Sequence, residues 1–309
     1  MGSRELTLTT ADGLALAGTL TVPDGPGPHP AAVLLVGSGP VDRDSDHRRI
    51  PLGVTRDLAE ALAAAGIASL RYDKRGVGAS QGEFLAASFE ECRDDGRAAL
   101  AALRARPEVD AARVLVIGHS EGAVHAAAIA ADESDLAGVV LLAGMAGSGE
   151  ATLRWQARAI MPTLPAAVRG LLRLLRQDPT KAQDKLFARL RASDARVIRV
   201  QGRRLNAAWM RGFLDHDAAA DLPRITAPVL AITGDKDLQA DPADLQRMET
   251  LVRAPLDTRL VPDLNHVLRH TPGTGAIGAY KKQIRTQPLD PRVTEALIGW
   301  ATARVGARV

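Results

Sequence analysis

The sequence predicts an α/β fold, a mostly parallel central sheet with helices on both faces and an inserted helical segment. Three observations carry this. Short continuous apolar runs alternate with longer stretches of helical spacing along most of the 309 residues, the rhythm of strand–helix–strand units around a parallel sheet. Gly118-His119-Ser120-Glu121-Gly122 sits between the apolar run 114–117 and the alanine-rich stretch 123–131, the form of a sharp strand-to-helix turn that presents a serine. Between residues 147 and 221 only helical patterns remain, with breaks at Pro162, Pro165 and Pro179. The expected division is therefore a core of 1–146 and 222–309 with 147–221 inserted as a helical cap.

Each element follows from local chemistry. Residues 5–10 and 14–22 alternate in polarity and meet at Asp12-Gly13, a strand pair with a tight turn. A Pro/Gly-rich loop over 23–30 leads to the apolar run 31–36, a buried strand that ends in Gly37-Ser38-Gly39-Pro40. Helical spacing over 54–65 stops at Gly66, and 67–72 is the next strand; 89–106 is a helix that ends before Pro107. After the strands 114–117 and 139–143, the rhythm resumes beyond the insertion. A strand at 228–233, a helix at 242–253, a strand at 258–261 and a helix at 291–304 follow, the last with proline at its first turn.

Composition excludes several classes. Apolar residues make up 46% and charged residues 24%, ordinary for a globular protein with a sizeable core. Cys92 is the only cysteine, so neither a disulfide framework nor a thiolate metal cluster is expected. The N-terminal residues lack the apolar core of a signal peptide and no run approaches membrane-spanning length, so a cytoplasmic protein without stable membrane association is expected. The abundance of Ala and Arg over Lys and Ile is that of a GC-rich bacterial genome and carries no function. The net charge of +3 is uneven: residues 150–215 hold 14 Lys or Arg against 5 Asp or Glu. A basic patch attracts anionic ligands, but Arg169, Arg173 and Arg176 fall at helical spacing among Leu171, Leu172, Leu174 and Leu175, as in an amphipathic helix with a solvated basic face. Without an aromatic–basic platform, nucleic-acid binding is not expected.

Ser120 is the candidate nucleophile, which marks the chain as a hydrolytic enzyme. A serine hydroxyl needs a base, usually a histidine oriented by a carboxylate, and after a nucleophile elbow these follow in the order Ser, Asp or Glu, His. Only His266 and His270 lie beyond the strand that should carry the acid. His266 stands four residues after Val261-Pro262, where the last strand ends, and is favoured. In Gly234-Asp235-Lys236-Asp237, Asp237 is assigned as the acid and Asp235 as a turn residue. Donors for a developing oxyanion are expected from the backbone N–H of Glu121 and of Ser38, with Gly39 as the alternative to Ser38. The Glu121 carboxylate is explained by the helix dipole alone.

The full length resembles the α/β-hydrolase family, and is most similar to its bacterial esterases carrying a GSGPxDRD segment. Here that segment is Gly37-Ser38-Gly39-Pro40-Val41-Asp42-Arg43-Asp44. The supporting motifs are Tyr72-Asp73-Lys74-Arg75-Gly76-Val77-Gly78-Ala79-Ser80, Gly118–Gly122, Gly234–Asp237 and Leu264-Asn265-His266. The resemblance implies a carboxylesterase using Ser120, His266 and Asp237, without metal or organic cofactor, acting on a small-molecule ester. It also implies a mainly structural role for 73–80, where Arg75 and the glycines hold neighbouring loops. Arg43 is expected to brace the oxyanion loop through an ion pair with Asp73 or Glu121.

The insertion supplies Trp155, Met161, Leu164, Phe187, Trp209, Met210 and Phe213. Most are expected to pack the insertion onto the core, and some to line a hydrophobic pocket over Ser120 that suits short or medium acyl chains or small alcohols. Competing readings are a thioesterase, recruiting a polyanionic thiol ester to the basic segment, and an aminopeptidase-like amidase. Outside hydrolysis stand a cyclase or lyase and a silent ligand sensor on the same fold.

Overall fold

The computed structural model describes residues 1–48, 50–174 and 179–306. The chain opens with the antiparallel pair β1 (Gly2–Thr9) and β2 (Ala15–Val22). Strand β3 (His29–Leu35) follows, then a two-residue ribbon, β4 (Asp46–His47) and β5 (Ile50–Pro51). Next come α1 (Val54–Ala64), β6 (Ala68–Tyr72), α2 (Phe89–Arg104), β7 (Val109–His119), α3 (Glu121–Asp132) and β8 (Gly138–Leu142). Helix α2 starts where predicted because Ser88 and Glu91 form a reciprocal capping box.

The segment expected as an insertion, 147–221, follows β8. It comprises α4 (Gly149–Ile160), α5 (Ala166–Leu174), α6 (Pro179–Arg191), the hairpin β9 (Val197–Val200) and β10 (Arg203–Asn206), α7 (Ala207–Asp215) and α8 (Ala218–Asp221). The chain then returns through β11 (Val229–Gly234), α9 (Asp244–Leu251), β12 (Leu256–Val261), α10 (Ile277–Thr286) and α11 (Pro291–Val305).

Eight strands form one sheet in the order β1-β2-β6-β3-β7-β8-β11-β12. Strand β2 is antiparallel to both β1 and β6, and every other pairing is parallel. Side chains alternate across this sheet. Val33, Leu35, Val114 and Val116 face α2 and α3 in one core layer; Ala32, Leu34, Leu115 and Ile117 face α1 and α11 in the other. This is the α/β-hydrolase fold that the sequence predicts.

Two local expectations are corrected, and one helix joins those expected. The insertion is not all helical: Val197, Ile198 and Val200 are β-branched, and Gln201-Gly202 turns with φ of 48° and 77°, a hairpin turn of the kind such residues favour. Helix α10 escapes the periodicity because Gly275 and Gly278 interrupt it; its Tyr280 and Ile284 nevertheless bury against the loop that carries His266. Helix α5 does not hide its apolar face: Val168, Leu171 and Leu174 are all exposed while Arg169 is half-buried; the side chains of Leu172 and Arg173, with Leu175 and Arg176, lie outside what is described. No helix of the described residues is long and apolar enough to cross a membrane.

The insertion docks on the start of α2. Asn206 caps α7 with its side-chain oxygen and donates from its amide to the Phe84 and Ala87 carbonyls. The Phe89 and Phe213 rings meet edge-on at 5.7 Å between centroids.

Candidate active site

Parallel strands end together at the edge where the candidate residues cluster. Strand β7 delivers Ser120 between two glycines whose lack of a side chain is obligatory. A Cβ on Gly118 would lie 2.0 Å from the Gly122 carbonyl oxygen, and one on Gly122 would lie 2.1 Å from that of Leu35. These contacts press the turn against β3 and leave Ser120 at φ 58°, ψ −120°, backbone strain of the kind retained at functional sites. Gly122→Ala is expected to destabilise the protein at or above the upper end of the roughly 1–3 kcal/mol typical of overpacking, because backbone, and not a flexible side chain, must yield. A melting curve checks this.

Strand β11 ends in the acid loop and β12 in the histidine loop, and the two loops are laced together. Lys236 N–H donates to the Leu264 carbonyl at 3.1 Å, and Asp263 N–H donates to Asp235 Oδ1 at 2.6 Å. Asp235 thus ties loop to loop. Buried Asn265 shapes the turn around His266: its Oδ1 accepts from the Val267 and Arg269 N–H groups, and its Nδ2 donates to Thr271 and, from α10, Gln283.

The result is a continuous chain of hydrogen bonds. His266 Nε2 lies 2.9 Å from Ser120 Oγ, and His266 Nδ1 lies 2.9 Å and 3.0 Å from the two Asp237 oxygens. Asp237 is buried, and its Oδ1 also accepts from the N–H groups of Gln239 and Ala240 at 2.7 and 2.8 Å. The alternative base, His270, is exposed beside Arg292. His119 was not singled out by the motif, yet its Nε2 bonds the His266 carbonyl at 2.8 Å. Burial, helped by the neighbouring His266, pushes its pKa down to about 4, so the ring is neutral and its Nε2–H is the donor.

The loop after β3 lies against the serine: a Cβ on Gly37 would be 3.4 Å from Ser120 Cβ. At the first position of α3, the Glu121 N–H has no intrahelical acceptor. Arg43 binds Asp73 bidentately through its Nε–Nη2 edge at 3.0 and 2.9 Å, and its Nη1 donates to Thr19 and Glu5. Its partner is thus Asp73 and not Glu121. Burial raises the Asp73 pKa, but the Arg43 guanidinium and the Ala79 N–H outweigh it and hold the carboxyl below the ordinary range. Arg75 pairs with buried Asp95 at 2.6 and 2.8 Å, joining the turn after β6 to α2.

Glu121 is more than a helix-dipole residue. Its buried carboxylate accepts from Lys74 Nζ at 3.2 Å, His125 Nε2 at 3.2 Å and the Trp209 indole N–H at 3.0 Å. Burial opposes its ionisation, yet Lys74 and the other donors hold its pKa down to about 2.

Two cavities meet at Ser120. One, of about 80 Å³, is walled by Val124, Met145, Leu153, Trp209 and Phe213; the other, of about 120 Å³, lies on the side of His266 and is walled by Val41, Leu52 and Val267. Of the aromatic and methionine candidates, only Trp209 and Phe213 line these spaces, stacked at 5.1 Å. The others face elsewhere. Phe187 and Met210 pack with Leu190 and Leu214 inside the insertion, Met161 lines a separate cavity of about 310 Å³ beside Arg154 and Arg158, and Trp155 and Leu164 line none of these. On α4 the residues that face the site are Thr152, Leu153 and Gln156, one helical stripe that excludes Trp155. Among the described residues, no group of three or more His, Cys, Asp or Glu is arranged to hold a metal ion.

Comparison with known proteins gives the family of the chain. Residues 51–270 match the family described as serine aminopeptidase, S33. Esterase EstD from Thermotoga maritima is 30% identical over 288 residues, 92% of this chain; the chain spans 65% of that relative's length. Among solved structures, the α/β hydrolase GrgF from Penicillium sp. sh18 superposes with a TM-score of 0.66 at 16% identity, covering 99% of this chain and 100% of that one. Est1E from Butyrivibrio proteoclasticus, solved with ferulic acid, gives 0.65 at 17% identity over 97% of this chain and 99% of that one. With its match running from Pro51 through the elbow and the acid loop to His270, the chain belongs to the serine aminopeptidase S33 family of the α/β-hydrolase fold.

Proposed function

We propose that the protein is a serine carboxylesterase of the GSGPxDRD type, acting on esters with short acyl chains or small alcohols. The observation that carries this reading is the relay Ser120–His266–Asp237, set between two small cavities and beside the Ser38 and Glu121 N–H groups. His266 takes the proton of Ser120 as the oxygen attacks the ester carbonyl, and Asp237 orients the imidazole and stabilises its cation. The N–H groups of Ser38 and Glu121 receive the oxyanion. The C–O bond then breaks and His266 gives the proton to the departing alkoxide; water, deprotonated by His266, next attacks the acyl-enzyme carbonyl, and His266 returns that proton to Ser120 Oγ as the acid leaves. The segment 147–221 serves as a cap, with Trp209 and Phe213 bounding the acyl side.

Size supports short substrates. Cavities of about 80 and 120 Å³ are small beside the roughly 300–1,000 Å³ of sites for drug-sized ligands. The relative EstD is named an esterase. The family description favours a second reading, an aminopeptidase-like amidase. An aminopeptidase must hold a substrate ammonium, and the carboxylate that lines the cavity of about 80 Å³, Glu121, is already engaged by Lys74, His125 and Trp209.

Hydrolysis of p-nitrophenyl esters from acetate to dodecanoate tests the proposal. We expect kcat/KM to peak between acetate and butyrate and to fall on the order of tenfold or more by octanoate, as methylenes outgrow the site. Rates at the buffer background across the series, or preferred cleavage of an aminoacyl p-nitroanilide, would overturn it.

A further inference from the structure

We propose that Lys74 and Glu121 form a positioning pair for the oxyanion hole, with the Lys74 ammonium fixing the peptide unit that presents the Ser38 N–H. This rests on the serine-hydrolase reading above. Lys74 Nζ donates to the Gly37 carbonyl at 2.7 Å as well as to Glu121 Oε2 at 3.2 Å. The Gly37 carbonyl and the Ser38 N–H belong to one planar trans peptide, so they point in opposite directions. Holding the oxygen toward Lys74 therefore aims the N–H away from it, and a charged donor on the oxygen polarises the same N–H. Glu121 holds Lys74 in turn, and its own backbone carries the second oxyanion donor. One buried ion pair thus spans both halves of the hole.

Burial makes the arrangement exacting. The Lys74 and Glu121 side chains are only 8% and 3% exposed. A buried ion pair seldom stabilises a fold more than an apolar replacement would, and such pairs can instead fix a unique arrangement. Here the arrangement fixed is the loop beside Ser120, where a Cβ on Gly37 would stand within ordinary contact of both Ser120 and His119. The Trp209 indole N–H extends the same network into the insertion, so the wall of one cavity and the aim of the oxyanion donors share an anchor.

The test compares Lys74→Met and Glu121→Gln with wild type, in p-nitrophenyl butyrate turnover and in the affinity of a boronic acid that forms a tetrahedral adduct with Ser120. For Lys74→Met we expect kcat per active site to fall roughly 10- to 100-fold, less than the 10²–10³ of losing a donor outright. KM should stay within about threefold and boronate affinity should fall in parallel with kcat/KM. Lys74→Arg, which keeps a charged donor, should recover part of the loss. Glu121→Gln, nearly isosteric and still able to accept from Trp209, carries the test if Lys74→Met does not fold; its loss should be smaller and of the same kind. Wild-type kcat and boronate affinity in the folded variants would overturn the proposal, even if their melting points fell. A wild type that forms the boronate adduct, weakened in the variants, yet cleaves no ester would sink the esterase reading and leave the positioning pair standing. A wild type that forms no adduct would sink both.

Discussion

Replacing Ser120 with alanine is expected to lower ester turnover by on the order of 10⁴-fold or more, with the melting temperature little changed. The magnitude follows from the way a relay acts as a unit: without the hydroxyl, the proton transfer of His266 and the orienting role of Asp237 have no object, and only the catalysis of the oxyanion donors remains. The fold should tolerate the change, because alanine keeps the Cβ that packs against Gly37 and occupies the same φ of 58°. The diagnostic measurement is a comparison of Ser120→Ala, His266→Ala and the double variant. If the relay works as a unit, the double variant should be about as slow as either single one. Losses that multiply would mean that the two residues act in separate steps. Undiminished turnover in Ser120→Ala would remove the serine mechanism altogether.

The parts of this site that were legible in the sequence are those whose chemistry is local. Gly118 and Gly122 are required by contacts within the elbow and with the adjacent strand, so strand, turn and helix could be read as one motif. Asp237 and His266 were legible through order along the chain and through the ends of the strands that precede them. What escaped depends on docking. Trp209 and Phe213 stand four apart on α7 and share a face, which meets the site; Met210, one residue on, turns into the interior of the insertion. Nothing in the sequence says which stripe of α4 or α7 will face Ser120, because the path of the insertion decides it. Lys74 was hidden for a related reason. Its turn has a sufficient local explanation in Arg75, Gly76 and Gly78, while its partners lie 37 residues before it and 47 after it. The hairpin around Gln201-Gly202 is a different case. Its β-branched run and turn residues were on the page, and the surrounding helical spacing masked them.

The choice between the two carboxylates of the acid loop has the sharpest expected contrast. Asp237→Asn is expected to lower kcat by on the order of 10³–10⁴-fold, and Asp235→Asn by no more than about threefold. At Asp237 the backbone N–H groups of Gln239 and Ala240 both donate to Oδ1, so an asparagine must keep its oxygen there. Its amide nitrogen then takes the place of Oδ2, facing His266 Nδ1 across the 2.9 Å contact, while the oxygen 3.0 Å from Nδ1 already has both lone pairs taken by the two backbone N–H groups. Two donors cannot share that contact, so the imidazole must leave Nδ1 unprotonated and carry its proton on Nε2. In that tautomer Nε2 donates to Ser120 and cannot accept its proton, which is the wrong-tautomer defect that costs about 10⁴ in a serine protease triad. At Asp235 the position is different. The residue accepts from the Asp263 N–H at 2.6 Å and pairs with Lys236 at 2.9 Å. An asparagine can still accept the first bond, and the second is a partly exposed pair of small worth. Steady-state kinetics on both variants, with circular dichroism to show that each is folded, decides the assignment. A large loss at residue 235 with little change at residue 237 would move the acid to Asp235, and the relay drawn above would have to be rebuilt around it.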